Sequence, residues 1–232
     1  MSPTWREIWD RRQLDPSLGS TLAQLMAADG LDTGFGSVTE EAWRGFVGHV
    51  ASTLDLEAGT SVFEVGCGAG AFLYDLYVAG CTVAGLDQSA ALVSYAAHAM
   101  PRGRFTVGEA AAIDPAEPYD VVLSCGVFLY FPSLDYARTV LERMTTKATR
   151  AVAILDVPDL ARQDQALAIR RGTLGEAAYA EKYRDLDHLY YDKDWLVDTL
   201  HACGLARTSV EDQAIPGYAN AASRFNVFGW KE

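Results

Sequence analysis

The sequence predicts an α/β fold: a doubly wound, mostly parallel sheet of seven strands, with helices at the N-terminus and a helical insertion after the fifth strand. Three observations predict it. A strand-like run ends in glycines at alternate positions and opens into a helix, in Ser61-Val62-Phe63-Glu64-Val65-Gly66-Cys67-Gly68-Ala69-Gly70 followed by Ala71-Phe72-Leu73-Tyr74-Asp75-Leu76. Short, continuous apolar runs then alternate with helical segments, the pattern of parallel strands buried on both faces. Two more strand-like runs close the chain on either side of Pro216-Gly217-Tyr218, a turn that lets them pair as a hairpin.

Residues 5–13 read as a short amphipathic helix with Trp5, Ile8 and Trp9 on one side, and 22–28 as a second. The stretch Asp29-Gly30-Leu31-Asp32-Thr33-Gly34-Phe35-Gly36 is a glycine-rich loop, and Ser37 with Glu40 forms a capping box for a helix reaching about residue 54. The first strand is 61–65, and its helix ends at Gly80, a residue that accepts the left-handed conformation after a last turn. The second strand is 82–87, and Ser89 caps a helix that stops before Pro101. Strands three, four and five fall at 104–107, 119–124 and 150–156, with a helix capped by Ser133 between the last two. Helical stretches at 159–171 and 175–186 then interrupt the alternation. After them come the aromatic link Asp187-His188-Leu189-Tyr190-Tyr191-Asp192, a helix at 194–203 closed by Gly204, and strands near 206–213 and 223–230. The expected organisation is one domain over 1–232, with 1–54 as a lid and 157–192 as an insertion over the active site.

Composition narrows the function. Half of the 232 residues are apolar and 22% are charged, the balance of a soluble globular protein with a proper core. The 31 acidic residues against 19 basic ones give a net charge of −12, which argues against a nucleic-acid partner. No apolar run is long enough to span a bilayer and no apolar signal segment opens the chain, so no membrane partner and a cytoplasmic location are expected. Cys67, Cys81, Cys125 and Cys203 lack the paired spacing of a zinc site or disulfide framework, so reduced thiols and no metal site are expected.

A strand that opens through glycines into a helix start is a nucleotide-binding device, because backbone and ligand approach closely and unpaired N–H groups face the ligand. Gly66, Gly68 and Ala71 satisfy the dinucleotide fingerprint, while Gly66, Gly68 and Gly70 satisfy a tighter one, so the glycines alone leave a dehydrogenase open. Asp87, ending the second strand, can accept from both ribose hydroxyls of either nucleotide. Glu64 discriminates: a carboxylate two residues before the first glycine repels a pyrophosphate and suits a ligand carrying an ammonium and a sulfonium.

On these residues the chain resembles the class I S-adenosylmethionine-dependent methyltransferases over roughly 35–232. Glu64-Val65-Gly66-Cys67-Gly68-Ala69-Gly70 is similar to their first motif, Gly85-Leu86-Asp87-Gln88-Ser89 to their second-strand acid motif, and residues 119–132 to their fourth-strand motif with the turn after it. The terminal hairpin fits the antiparallel last strand of that family. The resemblance implies S-adenosylmethionine as cofactor and S-adenosylhomocysteine as product. It implies that Glu64 helps hold the methionine end, that the backbone of Gly66, Cys67, Gly68 and Gly70 lines it, that Asp87 binds the ribose, and that Gln88 sits beside the adenine. Glu109 stands where the family usually has an aspartate for the adenine amine, with the backbone of Ala110 as the alternative. Ser124 and Cys125 would approach the methionine from strand four, and the loop at Phe35 would cover the cofactor.

Methyl transfer requires alignment, exclusion of water, and a general base only for a nucleophile of high pKa. His188 is the base candidate, since its ordinary pKa falls near neutrality; the alternative is a surface residue beside a docking helix. Tyr130, in the turn after strand four, either lines the acceptor pocket or packs. Tyr190 and Tyr191 point opposite ways if extended, so at most one faces the acceptor, and Tyr191 is the candidate. Asp156 ends strand five and either binds an acceptor cation or caps the next segment of chain, while Asn220, Arg224 and Asn226 could reach the rim. The expected activity is O- or N-methylation of a small molecule, as in bacterial specialised metabolism, by a monomer or homodimer. Two alternatives share the fold: a cyclase that uses the bound cofactor without consuming it, and a cofactor-sensing protein.

Overall fold

The structure, a computed structural model, describes residues 4–31, 38–184 and 186–232. The strands β1 (Ser61–Val65), β2 (Thr82–Asp87), β3 (Arg104–Val107), β4 (Tyr119–Cys125), β5 (Ala148–Pro158), β6 (Arg207–Asp212) and β7 (Arg224–Trp230) form one sheet of order 3-2-1-4-5-7-6. β1 to β5 run parallel, whereas β7 enters between β5 and β6 antiparallel to both, with Val227 opposite Ile154 on one side and Val210 on the other. The terminal hairpin expected from the sequence is therefore present. β5 extends further at both ends than the sequence suggests, because it pairs along its length with β4 and β7.

Strand periodicity sends alternate residues of β1 to opposite faces. Val62 and Glu64 point to the side covered by α2 (Thr21–Ala28), α3 (Glu40–Thr53), α4 (Ala71–Val78) and α5 (Ala90–Ala99), where Val50, Leu73 and Leu92 are buried. Phe63 and Val65 point to the side covered by α6 (Leu134–Lys147) and α9 (Lys193–Ala202), against Val140, Leu141, Leu196 and Leu200. The apolar strands are thus sandwiched between two helical layers. The strand order reverses between β1 and β4, and the crevice outside their carboxyl ends is where a ligand binds in such sheets.

Helix starts are set by side-chain caps. Ser20, Ser89, Ser133 and Asp192 accept from the backbone N–H of Ala23, Leu92, Tyr136 and Trp195. Thr39 caps α3, accepting from Ala42 N–H at 3.1 Å, in place of the box expected from Ser37, which lies outside the described residues. Ahead of the sheet, α1 (Trp5–Asp10) starts from a capping box of Thr4 and Glu7 and is shorter than its apolar pattern suggests. The insertion is a short 3₁₀ turn, then α7 (Gln163–Leu174) and α8 (Glu176–Lys182), broken at Gly175. No helix among the described residues is long and apolar enough to cross a membrane.

Candidate active site

A cavity of about 500 Å³ opens at the carboxyl ends of the parallel strands, with α1 and the α7 insertion along its walls. Its floor is the loop between β1 and α4. Gly66 and Gly68 hold φ of +72° and +52°. A Cβ on Gly66 would run into Val127, and one on Gly68 into the carboxylate of Asp29, so neither position admits another residue without rearrangement. Gly66 and Cys67 both donate their N–H to the carbonyl of Leu86, at 2.7 and 3.1 Å, which ties the loop to β2. Gly68 N–H donates to Asp87 Oδ2 at 2.9 Å and Ser89 N–H to Asp87 Oδ1 at 2.8 Å, so the carboxylate that ends β2 is held by loop and helix alike. Gln88, Glu109 and Ala110 continue the same wall.

This floor is rich in carboxyl groups. Glu64 is 2% exposed, and its Oε2 has no hydrogen-bond partner among the described residues. Burial, and then the charges of Asp29 and Asp87, push its carboxyl well above the usual range. Asp29, after the last turn of α2, accepts from Ala69 N–H at 2.6 Å and Ala71 N–H at 3.0 Å. Burial raises its pKa to about 7 against the lowering effect of those two bonds, with Asp87 adding to the rise and Arg12 opposing it. The N–H groups at the start of α4 that would cradle a phosphate are therefore held by a carboxylate. Three acids around one space, one with an orphaned oxygen, fit the ammonium and sulfonium of S-adenosylmethionine and disfavour a pyrophosphate. Asp29 escapes sequence reasoning because its contacts join segments 40 residues apart or more, and no local spacing marks it.

The opposite end is built by α1, β5, β7 and the insertion. Trp5 packs on His188 (ring centroids 4.9 Å apart) and on Tyr130 (4.7 Å), and Trp9 meets Tyr130 at 5.7 Å. Trp5 Nε1–H also donates to the carbonyl of Asp187 at 3.3 Å, so α1 is fastened across the insertion. Asp156, at φ +57°, is one of two non-glycine residues among those described in the left-handed region. That strain is tolerated because its N–H donates to Asn226 Oδ1 at 2.9 Å and its Oδ2 accepts from the Tyr218 hydroxyl at 2.8 Å.

His188 lines the cavity, but its chemistry differs from the expectation. Arg170 Nη1 donates to His188 Nδ1 at 2.8 Å, and because a guanidinium only donates, the imidazole proton sits on Nε2. Burial first, then the positive charges of Arg170 and Arg224, push the His188 pKa down to about 3. A neutral ring with Nδ1 occupied is a hydrogen-bond donor, not a general base. Tyr130 also lines the cavity, with burial pushing its hydroxyl up so that it stays protonated.

Other expectations are corrected by burial. Tyr191 is fully buried beneath the sheet and donates its hydroxyl to the Phe128 carbonyl at 2.8 Å, so it braces the turn after β4 and does not reach the acceptor. Ser124 is likewise enclosed, donating to the Val65 carbonyl at 2.9 Å and joining β4 to β1; Cys125, the next residue, lines the cavity instead. Gly70 turns away from the cavity, and a Cβ there would strike Met100. Asn226 is buried behind Asp156, whereas Asn220 and Arg224 do line the cavity. Phe35 lies outside the described residues. Burial raises the thiols of Cys67 and Cys125, which keeps them protonated and unreactive. No cluster able to hold a metal ion occurs among the described residues.

Residues 62–148 match the family model described as a methyltransferase domain. No curated protein matches the chain in sequence. Among solved structures it is similar to magnesium protoporphyrin IX methyltransferase of Synechocystis with bound S-adenosylhomocysteine, at 17% identity and TM-score 0.60 over 83% of each chain. It is similar also to the N-methyltransferase NodS of Bradyrhizobium japonicum in complex with S-adenosylhomocysteine, at 16% identity and TM-score 0.59 over 91% of this chain and 96% of that one. A putative methyltransferase of Haloferax volcanii, solved with its activator protein, aligns at 17% identity and TM-score 0.64 over 91% and 97%. At these identities the likeness is one of fold. With the domain model falling across β1 to the first residue of β5, and the sheet order reproduced around it, the chain carries a methyltransferase domain within the fold of those S-adenosylmethionine-dependent enzymes.

Proposed function

We propose that this enzyme transfers the cofactor's methyl group to an oxygen or nitrogen of a small-molecule acceptor. The observation that carries the reading is how one cavity is furnished: the carboxyls of Glu64, Asp29 and Asp87, with Arg12 beside Asp29, at the glycine loop, and Arg170, Arg224 and aromatic rings, with Asp156, at the other end. Cys125 sits between them, within reach of the charges of Asp156, Glu64, Asp29 and Arg224. About 500 Å³ shared with the cofactor leaves room for a small acceptor and little else.

In this reading Glu64 takes the cationic methionine end, the backbone of Gly66, Cys67 and Gly68 lines it, Asp87 accepts from the ribose hydroxyls, and Gln88, Glu109 and Ala110 bound the adenine. The bound cofactor supplies a methyl carbon activated by sulfonium and leaves as S-adenosylhomocysteine, the C–S electron pair remaining on sulfur. Tyr130 and the Nε2–H of His188 orient the acceptor, and Trp5 with Trp9 keeps water out. Alignment and water exclusion are then the enzyme's contribution: the acceptor reacts as a free amine or an oxygen already ionised, any remaining proton passes to solvent, and neither His188 nor Tyr130 takes it. The test is incubation with methyl-labelled cofactor and a dialysable metabolite extract of the source cells. Label in a dialysable product supports the reading; label confined to macromolecules, or none transferred at all, contradicts it.

A further inference from the structure

We infer that the acceptor is a small carboxylic acid with an apolar, aromatic body, its carboxylate held between the guanidinium groups of Arg170 and Arg224. The inference rests on the reading of this cavity as a methyl-transfer site and names the substrate class.

Arg170 on α7 is 4% exposed and Arg224, the first residue of β7, is 3% exposed, and both line the cavity. Buried guanidinium groups are ordinarily paired with carboxylates. These two are not. Arg170 donates from Nη1 to the neutral His188 ring, and Arg224 donates from Nη1 to the backbone carbonyl of Asp156 at 3.2 Å. Among the described residues no carboxylate lies within ion-pair distance of either. Each guanidinium carries five N–H donors, so both retain a fork able to grip an anion.

Charge selects the anion. Asp156, whose negative charge favours the charged form of Arg224, is engaged by Tyr218 and stands beyond ion-pair distance. His188 is neutral and adds nothing. Two cations against one carboxylate leave a single uncompensated positive charge, which matches a carboxylate monoanion and not a phosphate dianion. The walls on the way to the glycine loop are Trp5, Trp9, Tyr130, Leu129 and Ile215, an apolar and largely aromatic passage for the acceptor's body. At the far end the carboxyls of Glu64, Asp29 and Asp87 disfavour an anion, which would raise the cost of ionising them further. The carboxylate is thereby directed away from the cofactor, and the rest of the acceptor toward the methyl group.

The test uses the full chain saturated with S-adenosylhomocysteine and two matched probe pairs, benzoate with benzamide and indole-3-acetate with indole-3-acetamide, titrated calorimetrically. At least one acid should bind at least about tenfold more tightly than its amide, the expected loss of a charge-assisted pair. Arg170→Gln and Arg224→Gln should each weaken that acid by about tenfold or more while S-adenosylhomocysteine affinity is retained, with Arg170→Lys and Arg224→Lys recovering part. Acids and amides binding alike, neither acid binding, or acid affinity surviving both Gln substitutions would overturn the inference. The acid–amide comparison on the unaltered protein decides the matter even if a variant fails to fold. Failure of the unaltered protein to bind S-adenosylhomocysteine would instead overturn the methyltransferase reading beneath it.

Discussion

Glu64 is a carboxyl carried into the interior at the end of a strand, where protonation or a cationic ligand must offset its desolvation. Glu64→Gln should therefore act in opposite directions on two readouts. It should raise the melting temperature of the ligand-free protein, by roughly 1–3 kcal/mol of stability, and weaken cofactor binding. A fall in both would assign Glu64 a structural role. With Asp87 as the proposed acceptor for the ribose hydroxyls, Asp87→Ala should cost roughly 10- to 100-fold in cofactor affinity by calorimetry. Tyr191→Phe removes one of two hydrogen bonds to the buried Phe128 carbonyl, which keeps the Phe131 N–H at 3.2 Å, and should lower stability by about 0.5–1.5 kcal/mol in denaturant titration, with cofactor affinity intact. Glu64 and Asp87 are legible in the sequence because both sit at fixed offsets from the glycines. Arg170 has no such marker: it lies on an amphipathic helix of the insertion, and its role depends on β7 arriving from 54 residues further along the chain.

Among the elements, α1 is a shield whose two tryptophans cover Tyr130 and His188. Trp5→Ala should open that cover, raise the acceptor KM, and let water return to the imidazole. The His188 pKa should then climb from about 3 toward 6.5, measurable by NMR titration of the ring. A pKa that stays low would mean the Arg170 and Arg224 charges dominate over burial. In the unaltered enzyme the kcat–pH profile should show no inflection near 6.5 from His188, and one assignable to that ring would restore it as a base. The parallel strands were legible because burial on both faces makes them short apolar runs bounded by caps and glycines. The ends were less so: Thr39 caps where Ser37 also could, and β5 is lengthened by a neighbour that local sequence does not announce. Tyr191 misleads for the same reason, since alternation along an extended link says that one of two tyrosines faces inward but not which.

Across the whole molecule, three carboxyls gather at the glycine loop and two buried guanidinium groups at the other end of the cavity, and pH acts on the carboxyls. Asp29 has a folded pKa near 7 against 3.8 unfolded, so the native state holds a proton that the unfolded chain has released. Its contribution to stability is therefore present at acid pH and is lost as pH rises across that window. Glu64 and Asp87 shift in the same direction, and Arg12 opposes the rise at Asp29. A cationic cofactor favours the ionised acids, so its binding releases protons and its affinity should rise as pH passes through about 7. Calorimetry in two buffers of different ionisation enthalpy checks both the direction and the proton count, and affinity falling with pH would contradict it.

Above all, the acid-flanked glycine loop selects S-adenosylmethionine over a dinucleotide. Calorimetric titration of the unaltered protein and of Asp87→Ala, with S-adenosylhomocysteine and with NADH, tests that selectivity without an acceptor in hand. The expected result is saturable one-to-one binding of S-adenosylhomocysteine, lost or much weakened in the variant, and no binding of NADH. Saturable NADH binding with none of S-adenosylhomocysteine would contradict it.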